Sequence, residues 1–425
     1  MPTQPSSPEW IEADYSLETT SEVEKTAAIM AGEQSSGTFL SIPGETESLK
    51  QKFSATVISI TRLSDHPMQP SLPSTGWKGD GSERINRALI SLRWPAANIG
   101  PSLPNLMATI AGNLFELRPV TGLRLLDIRL PKSFAERYQG PRFGIEGTRA
   151  LTNVKNRPLV GTIIKPSIGL NADETASKVQ ALCEAGIDFI KDDELQSDGI
   201  ECPFEDRVSA VMRVINDHAE RTGRKVMFAF NLTGEIDQMR RRHDILLKHQ
   251  ATCLMASLNS VGLTGFIELA HFSQLPIHAH RNGWGYLSRH PYLGWSYTAW
   301  QKIWRLAGAD HMHVNGLSNK FSETDESVIQ SAKACLMPLY PDKPCISMPV
   351  FSSGQTARVV EATYKALNSH DLIFAAGGGI LGHPNGLSAG VRSIKRAWEL
   401  ALSGQSVQEA AQHDKDLKIA LDMMA

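Results

Sequence analysis

Four consecutive charged residues, Lys191-Asp192-Asp193-Glu194, directly follow the largely apolar run 187–190. The carboxylates of Asp193 and Glu194 suit a hard cation such as Mg²⁺, which proteins usually hold through one or two carboxylates plus water or substrate. Lys191 would compete with the cation unless its amine were neutral or converted by CO2 into an anionic carbamate. The alternative is a solvated charge run, but a position at the end of an apolar strand favours a functional site.

A second lysine, Lys165, ends the apolar run 159–164 and precedes Pro166. Burial would lower the pKa of its amine toward values that are useful in proton transfer. An ordinary salt bridge at the end of the strand is the alternative.

Two histidine pairs, His278/His280 and His311/His313, have a spacing of two residues. In a strand this spacing puts both rings on one face. The arrangement suits metal ligation or acid–base chemistry, although core histidines satisfied by hydrogen bonds would look the same. Two such pairs on neighbouring strands favour function. Arg281 follows the first pair and could clamp an anionic group.

Two small-residue turns, 352–354 and 377–379, read Ser-Ser-Gly and Gly-Gly-Gly, and each precedes a possible helix. Free backbone N–H groups at such turns can bind phosphate. One Gly-rich turn is weak support, but the pair indicates a phosphorylated ligand.

The elements that position these residues alternate regularly in the second part of the chain. Strand-like runs begin near Leu159, Ile187, Val226, Cys253, Leu275, Asp310, Ile346 and Leu372, with helical segments such as 204–222, 297–307 and 356–369 between them. Eight β-α units in roughly 250 residues predict a (β/α)8 TIM barrel, with its active site at the carboxyl ends of the strands. An open doubly wound sheet is the alternative.

The first part of the chain shows mixed signals that predict an α+β domain. Residues 23–30 have helical character, residues 53–60 alternate as a half-buried strand, and residues 84–94 fit a helix or a strand. The predicted domains are 1–140 and 141–425.

Composition indicates an ordinary globular protein: 41% of the 425 residues are hydrophobic and 21% are charged. A formal charge of -2 gives no electrostatic footprint for nucleic acid, and no apolar stretch approaches the ~20 residues that span a membrane. The five cysteines form no CxxC pair, which predicts reduced, buried thiols. Because the N-terminus lacks the features of a signal peptide, we expect a cytoplasmic protein.

Taken in order, the motifs resemble those of the Rubisco large subunit: GTIIKPxxGL, FIKDDE, HxHR, GxDHxH and GGGxLGHP, preceded by GEQSSGTF at 32–39 and AGNLF at 111–115. The match spans essentially the whole chain. The resemblance implies an N-terminal α+β, ferredoxin-like domain followed by the barrel. It also implies a homodimer, or an assembly of dimers, in which the N-terminal domain of one chain completes the barrel site of the other.

Residue roles follow from the resemblance alone. It implies Mg²⁺ held by a carbamylated Lys191 with Asp193 and Glu194. Proton transfer would fall to the carbamate, Lys165 and His280, with Lys320 as the mobile-loop lysine. Asn113 and Glu33 would reach in from the partner chain. One phosphate site would comprise Arg281, His313 and Ser352, and the other Thr38, Gly354, Gly377 and Gly378.

The chain departs from carboxylating Rubiscos at Ser167, where they have a second active-site lysine, at Trp284, which replaces a histidine, and in the loop 314–321. These departures indicate a Rubisco-like protein that does not fix CO2.

The loop resembles that of apiose-pathway members. It implies enediolate formation from a phosphorylated keto-sugar or sugar acid, in transcarboxylation/hydrolysis or decarboxylation of 3-oxo-isoapionate 4-phosphate. The alternatives are an isomerase or enolase of methylthio-sugar phosphates in methionine salvage (5-methylthioribulose 1-phosphate or 2,3-diketo-5-methylthiopentyl 1-phosphate), and a non-catalytic sugar-phosphate binding protein.

Overall fold

The computed structural model describes residues 9–37, 43–80 and 84–423. The strands of these residues are β1 (Trp10–Thr19), β2 (Thr56–Arg62), β3 (Asn86–Pro95), β4 (Val120–Arg129), β5 (Leu159–Ile163), β6 (Phe189–Lys191), β7 (Met227–Asn231), β8 (Cys253–Ser257), β9 (Ile277–His280), β10 (Leu293–Trp295), β11 (His311–His313), β12 (Met348–Phe351) and β13 (Ile373–Ala375).

The helices are α1 (Val23–Glu33), α2 (Glu47–Phe53), α3 (Leu103–Ala111), α4 (Lys132–Arg137), α5 (Gly144–Thr152), α6 (Ala172–Glu184), α7 (Phe204–Thr222), α8 (Ile236–Lys248), α9 (Leu258–Phe272), α10 (Trp284–Ser288), α11 (Tyr297–Ala307), α12 (Asp325–Leu336), α13 (Val360–Leu367), α14 (Gly377–Leu381), α15 (Leu387–Leu402), α16 (Val407–Ala410) and α17 (Lys415–Asp422). Short 3-10 turns lie at Ala96–Asn98, Asn113–Glu116 and Ala357–Val359.

One compact unit, formed by Gly140–Asn282 and Ala307–Ala425, contains a closed barrel. Its parallel strands follow the cyclic order β5-β6-β7-β8-β9-β11-β12-β13. The predicted (β/α)8 barrel is therefore confirmed, and each of its eight predicted strands is present among the described residues.

Apolar side chains from alternate strand positions fill the barrel. The core cluster includes Leu159, Phe189, Met255, Val350 and Ile373. A Cβ added at Gly161 would lie 2.9 Å from the Phe189 ring, so a glycine on β5 makes room for the aromatic side chain on β6. The buried rings of His278 and His311 also pack against Phe189, and the charged side chains Lys191 and Asp193 lie at or just beyond the end of β6.

Helices connect successive barrel strands, and capping residues define where two of these helices begin or end. Asn171 caps α6, its side chain accepting from the Glu174 N–H while the Glu174 carboxylate accepts from the Asn171 N–H, which is a capping box. Helix α7 covers the predicted range 204–222 and ends before Gly223, whose φ of +71° suits glycine. The next strand of the barrel therefore starts at a defined point.

The other unit, Met1–Gln139 with Gly283–Leu306, contains a five-stranded sheet of order β10-β4-β1-β3-β2. Strands β4-β1-β3-β2 are antiparallel, which is the predicted ferredoxin-like order, and β10 adds to β4 in parallel. The undecided stretch 84–94 is strand β3. The strand predicted at 53–60 begins at Thr56 and is mostly exposed, because β2 is an edge strand and Phe53 ends α2.

Several predictions concern the chain as a whole. All five cysteines are free and buried, as predicted. No helix among the described residues is long and apolar enough to cross a membrane. The domain division at residue 140 stays a prediction, and the structure adds that residues 283–306 pack with the N-terminal unit.

Candidate active site

Lys191 is the last residue of β6 and is 3% exposed. Its Nζ donates to the Asp192 carbonyl oxygen at 2.9 Å and to Glu194 Oε2 at 3.4 Å. Burial lowers the pKa of the Lys191 amine, although the carboxylates of Glu194 and Asp193 act in the opposite direction. A lowered pKa enlarges the neutral fraction of the amine, which is the form that reacts with CO2.

Asp193 and Glu194 lie next to this amine in the chain and in space. Asp193 is buried, and Lys165 is hydrogen-bonded to its Oδ2 at 2.6 Å. Burial tends to raise the pKa of both carboxyls, but the contact with Lys165 at Asp193, and the charges of His280 and Lys191 at Glu194, lower their pKa overall. Because Lys191, Asp192 and Asp193 are all buried, the alternative of a solvated charge run is wrong.

Lys165 lies at the mouth of the barrel rather than inside it. Its side chain is 48% exposed, so the burial that the proton-transfer interpretation required is absent, and its ion pair with Asp193 fits the alternative of a salt bridge at the strand end. The reason is that β5 ends at Ile163, two residues earlier, and the side chain extends beyond the strand end. Its Nζ donates to Ser167 Oγ and to Asp193 Oδ2, both at 2.6 Å. Ser167, the departure noted above, therefore orients Lys165.

Asp192 points away from its two neighbours and forms a buried ion pair that sequence reasoning missed. Its Oδ2 accepts from Arg207 on α7, at 3.2 Å from Nη2, and from the Asn231 N–H at 2.9 Å. The Asn231 side chain in turn donates to the carbonyl oxygens of Glu194 and Gln196. This network fixes the backbone that carries Asp193 and Glu194. Strand alternation would have predicted that Asp192 faces away from Lys191 and Asp193.

The two histidine pairs play different structural parts. His278 Nε2 lies 2.7 Å from His313 Nε2, and His311 Nε2 lies 2.8 Å from Thr148 Oγ1. These three rings are buried, and burial lowers the pKa of each well below its usual value. They fit the alternative of core histidines satisfied by hydrogen bonds.

His280 instead lies beside the charged cluster, with Nε2 3.4 Å from Glu194 Oε2. Its Nδ1 accepts from the Asn282 N–H at 3.2 Å, which leaves Nε2 directed at the acidic group. Burial and the Lys191 charge lower the pKa of His280 to about 4. Since Nδ1 accepts this hydrogen bond, a neutral ring carries its proton on Nε2, which is then a donor toward Glu194.

Arg281, predicted to clamp an anion, is paired with a carboxylate of its own chain. Its Nη2 donates to Glu323 Oε2, and Asn315 Nδ2 donates to the same oxygen at 2.7 Å. Sequence reasoning missed Glu323, because the Ser-Glu-Thr stretch that contains it is typical of an exposed loop. The remaining predicted partners of this phosphate site are close together, with His313 Nδ1 3.2 Å from Ser352 Oγ.

The second predicted phosphate site lies at the ends of the adjacent strands β12 and β13. Gly354 has a φ of +91°, a left-handed conformation that favours glycine. Gly377 and Gly378 begin the short helix α14, and a Cβ on Gly378 would meet nothing within 4 Å. Thr38, predicted to complete this site, lies outside the described residues.

Three further predicted residues remain, one in the barrel unit and two in the N-terminal unit. Lys320 is exposed, with its Nζ 5.3 Å from the Phe321 ring centroid, and its N–H donates to the Ser353 carbonyl oxygen at 3.2 Å. In the N-terminal unit, Asn113 Nδ2 donates to Glu33 Oε1 at 3.2 Å. The structure therefore brings together the two residues that were predicted to act as a pair on a partner chain.

Comparison with known proteins agrees with this arrangement. The model of the ribulose bisphosphate carboxylase large chain catalytic domain matches residues 144–424, and that of the N-terminal domain matches residues 11–134. The 3-oxo-isoapionate-4-phosphate transcarboxylase/hydrolase of Xanthobacter autotrophicus is 55% identical over 413 residues, which cover 97% of this chain and 99% of the relative.

Two further matches are similar in extent. A 3-oxo-isoapionate-4-phosphate decarboxylase of Rhizobium rhizogenes is 39% identical, over 96% of both chains. The crystal structure of a rubisco-like protein from Burkholderia fungorum superimposes with a TM-score of 0.92 at 45% identity, over 98% of this chain and 100% of that one. Through both family models and these near full-length relatives, the chain belongs to the Rubisco large-chain family and is a Rubisco-like enzyme.

Proposed function

We propose that this chain catalyses the Mg²⁺-dependent cleavage of 3-oxo-isoapionate 4-phosphate, by transcarboxylation and hydrolysis, in carbohydrate (apiose) catabolism. The observation that carries the proposal is the 55% identity, over nearly the full length of both chains, to a protein named for this reaction. The cluster of Lys191, Asp193 and Glu194 supports it, because a phosphorylated sugar acid presents vicinal oxygens that a cation can hold.

The residues around Lys191 fit a Mg²⁺ ion if the lysine is carbamylated. No group of three or more His, Cys, Asp or Glu side chains in the described parts of the chain is arranged to hold a metal. Asp193 and Glu194 supply two oxygen donors, and a carbamate on the buried Lys191 would supply the third. When bound, Mg²⁺ would stabilise negative charge that develops on the substrate oxygens, as in an enediolate.

Side chains of this protein would carry out the proton transfers of the reaction. The carbamate oxygen on Lys191 would accept the proton from the carbon next to the carbonyl. His280, whose Nε2 is directed at Glu194, would donate a hydrogen bond or a proton from Nε2 at the neighbouring oxygen. Lys165, held by Ser167 and Asp193, would deliver a proton from the open side of the barrel.

A second candidate reaction is simple decarboxylation of the same substrate. The 39% identity to a protein named as the decarboxylase favours it, and the same cluster would serve both reactions. The methylthio-sugar phosphate reactions and non-catalytic sugar-phosphate binding remain as outcomes of the test.

We also propose a homodimer with shared sites. The hydrogen bond between Asn113 and Glu33 supports this proposal. It holds together two polar side chains that, by the family resemblance, would reach into the active site of the partner chain.

The proposal is tested by turnover of 3-oxo-isoapionate 4-phosphate with Mg²⁺ and bicarbonate, followed by mass spectrometry. We expect 3-phosphoglycerate and glycolate, with uptake of one water, and a loss of about 10³-fold or more in kcat for Lys191→Ala, because metal and proton acceptor are lost together. EDTA should abolish turnover, and Mg²⁺ should restore it. Lys178→Ala, which removes an exposed lysine on α6, is the matched control.

Other products would indicate a different reaction for this chain. A tetrulose phosphate plus CO2 would establish decarboxylation. Turnover of only the methylthio compounds would contradict the proposed substrate, and sugar-phosphate binding without turnover, unchanged in Lys191→Ala, would indicate a binding protein.

A further inference from the structure

Glu323 is the centre of a hydrogen-bonded group that also contains Arg281, Asn315, Ser327 and Ser353; we call it the Glu323 cluster. Oε2 accepts from Arg281 Nη2 and from Asn315 Nδ2, and Oε1 accepts from Ser327 Oγ at 2.9 Å. Asn315 Oδ1 accepts from Ser353 Oγ at 2.9 Å. The Glu323 carboxylate is thus bound on both oxygens, at the carboxyl ends of barrel strands where substrate is expected.

The charge of Arg281 is matched within the chain. Its side chain is 6% exposed and that of Glu323 is 14% exposed, so water screens the pair only weakly. A guanidinium is the usual clamp for a phosphate dianion, but here a carboxylate already occupies it. A phosphate at this position would meet a negative charge next to the positive one.

His313, another residue of this predicted phosphate site, adds no positive charge. His313 is buried, its Nε2 lies 2.7 Å from His278 Nε2 and its Nδ1 lies 3.2 Å from Ser352 Oγ. Burial holds the pKa of His313 well below its usual value, so the ring is neutral. Together, Arg281, Glu323 and His313 carry no net charge.

The loop that carries Glu323 is held in place by its own backbone contacts. Asn319 Nδ2 donates to the carbonyl oxygens of Gly316 and Glu323, at 3.0 and 3.1 Å. Gln355 Nε2 donates to the Leu317 carbonyl oxygen, and the Ser318 N–H donates to Asp325. Moving the Glu323 carboxylate away from Arg281 would therefore break several hydrogen bonds beyond the ion pair itself.

We propose that Glu323 is a specificity-determining residue that cancels the attraction of Arg281 for a second phosphate, so that a sugar bisphosphate gains no affinity over a monophosphate. The inference rests on the proposed function for the identity of the natural substrate, which carries a single phosphate. It does not rest on the reaction type, because discrimination is a property of binding. Specificity of this kind comes from a repulsive element placed against the wrong ligand.

The test is calorimetric titration of the Mg²⁺- and bicarbonate-treated protein with ribulose 5-phosphate and ribulose 1,5-bisphosphate. For the wild-type chain we expect Kd values within about threefold of each other, because the extra phosphate gains no net attraction. Glu323→Gln should bind the bisphosphate at least about tenfold more tightly than the monophosphate, since Arg281 then has an unmatched charge. Glu326→Gln, which removes an exposed carboxylate three residues away, should behave as wild type.

Three results would overturn the inference. They are a wild-type preference for the bisphosphate above about tenfold, a Glu323→Gln ratio within about threefold of wild type, and no binding of either ligand. The wild-type ratio is decisive even if the variant fails to fold, which its melting temperature would reveal. Failure of the proposed function appears separately, as absent turnover with the binding preference intact.

Discussion

Buried neutral histidines make this chain sensitive to acid at the level of single side chains. Burial lowers the pKa of His311 to about 3, against 6.5 for an unperturbed histidine. The unfolded chain therefore takes up a proton near pH 6.5 while the folded chain does not. Stability from this residue is fully present above pH 6.5 and is lost as the pH falls toward 3.

We expect the melting temperature to fall between pH 7 and pH 4.5, with His311 alone contributing up to about 1.4 kcal/mol per pH unit. His311→Asn should flatten this dependence, because the group that titrates on unfolding is gone. His413→Asn removes an exposed histidine and should leave the slope unchanged. Scanning calorimetry across this pH range measures the effect, and equal slopes for His311→Asn and wild type would refute it.

Sequence could locate single residues where a charge follows an apolar run, as at Lys191. The sequence does not indicate how exposed a side chain is at the end of a strand. Burial was therefore considered for Lys165, although its side chain extends past the end of β5 and is 48% exposed. Nor could it find Glu323, because its partner Arg281 lies 42 residues away. Long-range ion pairs leave no local pattern.

At the scale of elements, helix α7 is tied to the end of β6 by the buried pair of Arg207 and Asp192. Both side chains are fully buried, and Arg207 also donates to the Ser197 and Cys202 carbonyl oxygens. A buried pair contributes little net stability, but breaking it leaves an uncompensated charge in the interior.

Asp192→Asn should lower the free energy of unfolding by about 3–5 kcal/mol, because Arg207 loses its counter-charge. Adding Arg207→Met should recover part of that loss. Glu205→Gln on the same helix breaks the exposed pair with Lys248 and should cost under about 1 kcal/mol. Chemical denaturation measures these chains together with Arg207→Met alone, and additive losses in the double variant would show that the pair is not coupled.

The regular elements were the predictable part of this fold. Runs such as 159–164 and 226–230 are largely apolar, as is typical of strands buried on both faces, and every barrel strand was located. Strand β10 was not predicted. It has only three residues, and its pairing with β4 joins Leu293 to Leu123, far apart in the chain, so neither propensity nor periodicity could indicate it.

At the scale of the whole molecule, the proposed sharing of sites between two chains can be tested by mixing inactive variants. If Asn113 serves the barrel of the partner, Asn113→Ala and Lys191→Ala should each be inactive alone. In a randomly reassembled equimolar mixture, about half of the dimers are mixed and each has one intact site, so about a quarter of all sites should be intact. Lys165→Ala mixed with Lys191→Ala is the control, because each barrel then carries a defect and no activity should return. An inactive first mixture would mean that each chain builds its own site.

The position of β10 also determines how the chain can be divided. The backbone leaves the N-terminal unit at residue 139, returns to it for residues 283–306, and leaves it again. A protease cut near residue 140 would therefore not release two independent halves, since the C-terminal fragment would still hold its strand in the sheet of the other fragment. An exchange of residues 1–139 between relatives by a single crossover would likewise separate β4 from the β10 with which it pairs. An exchange that keeps this sheet intact must also include residues 283–306.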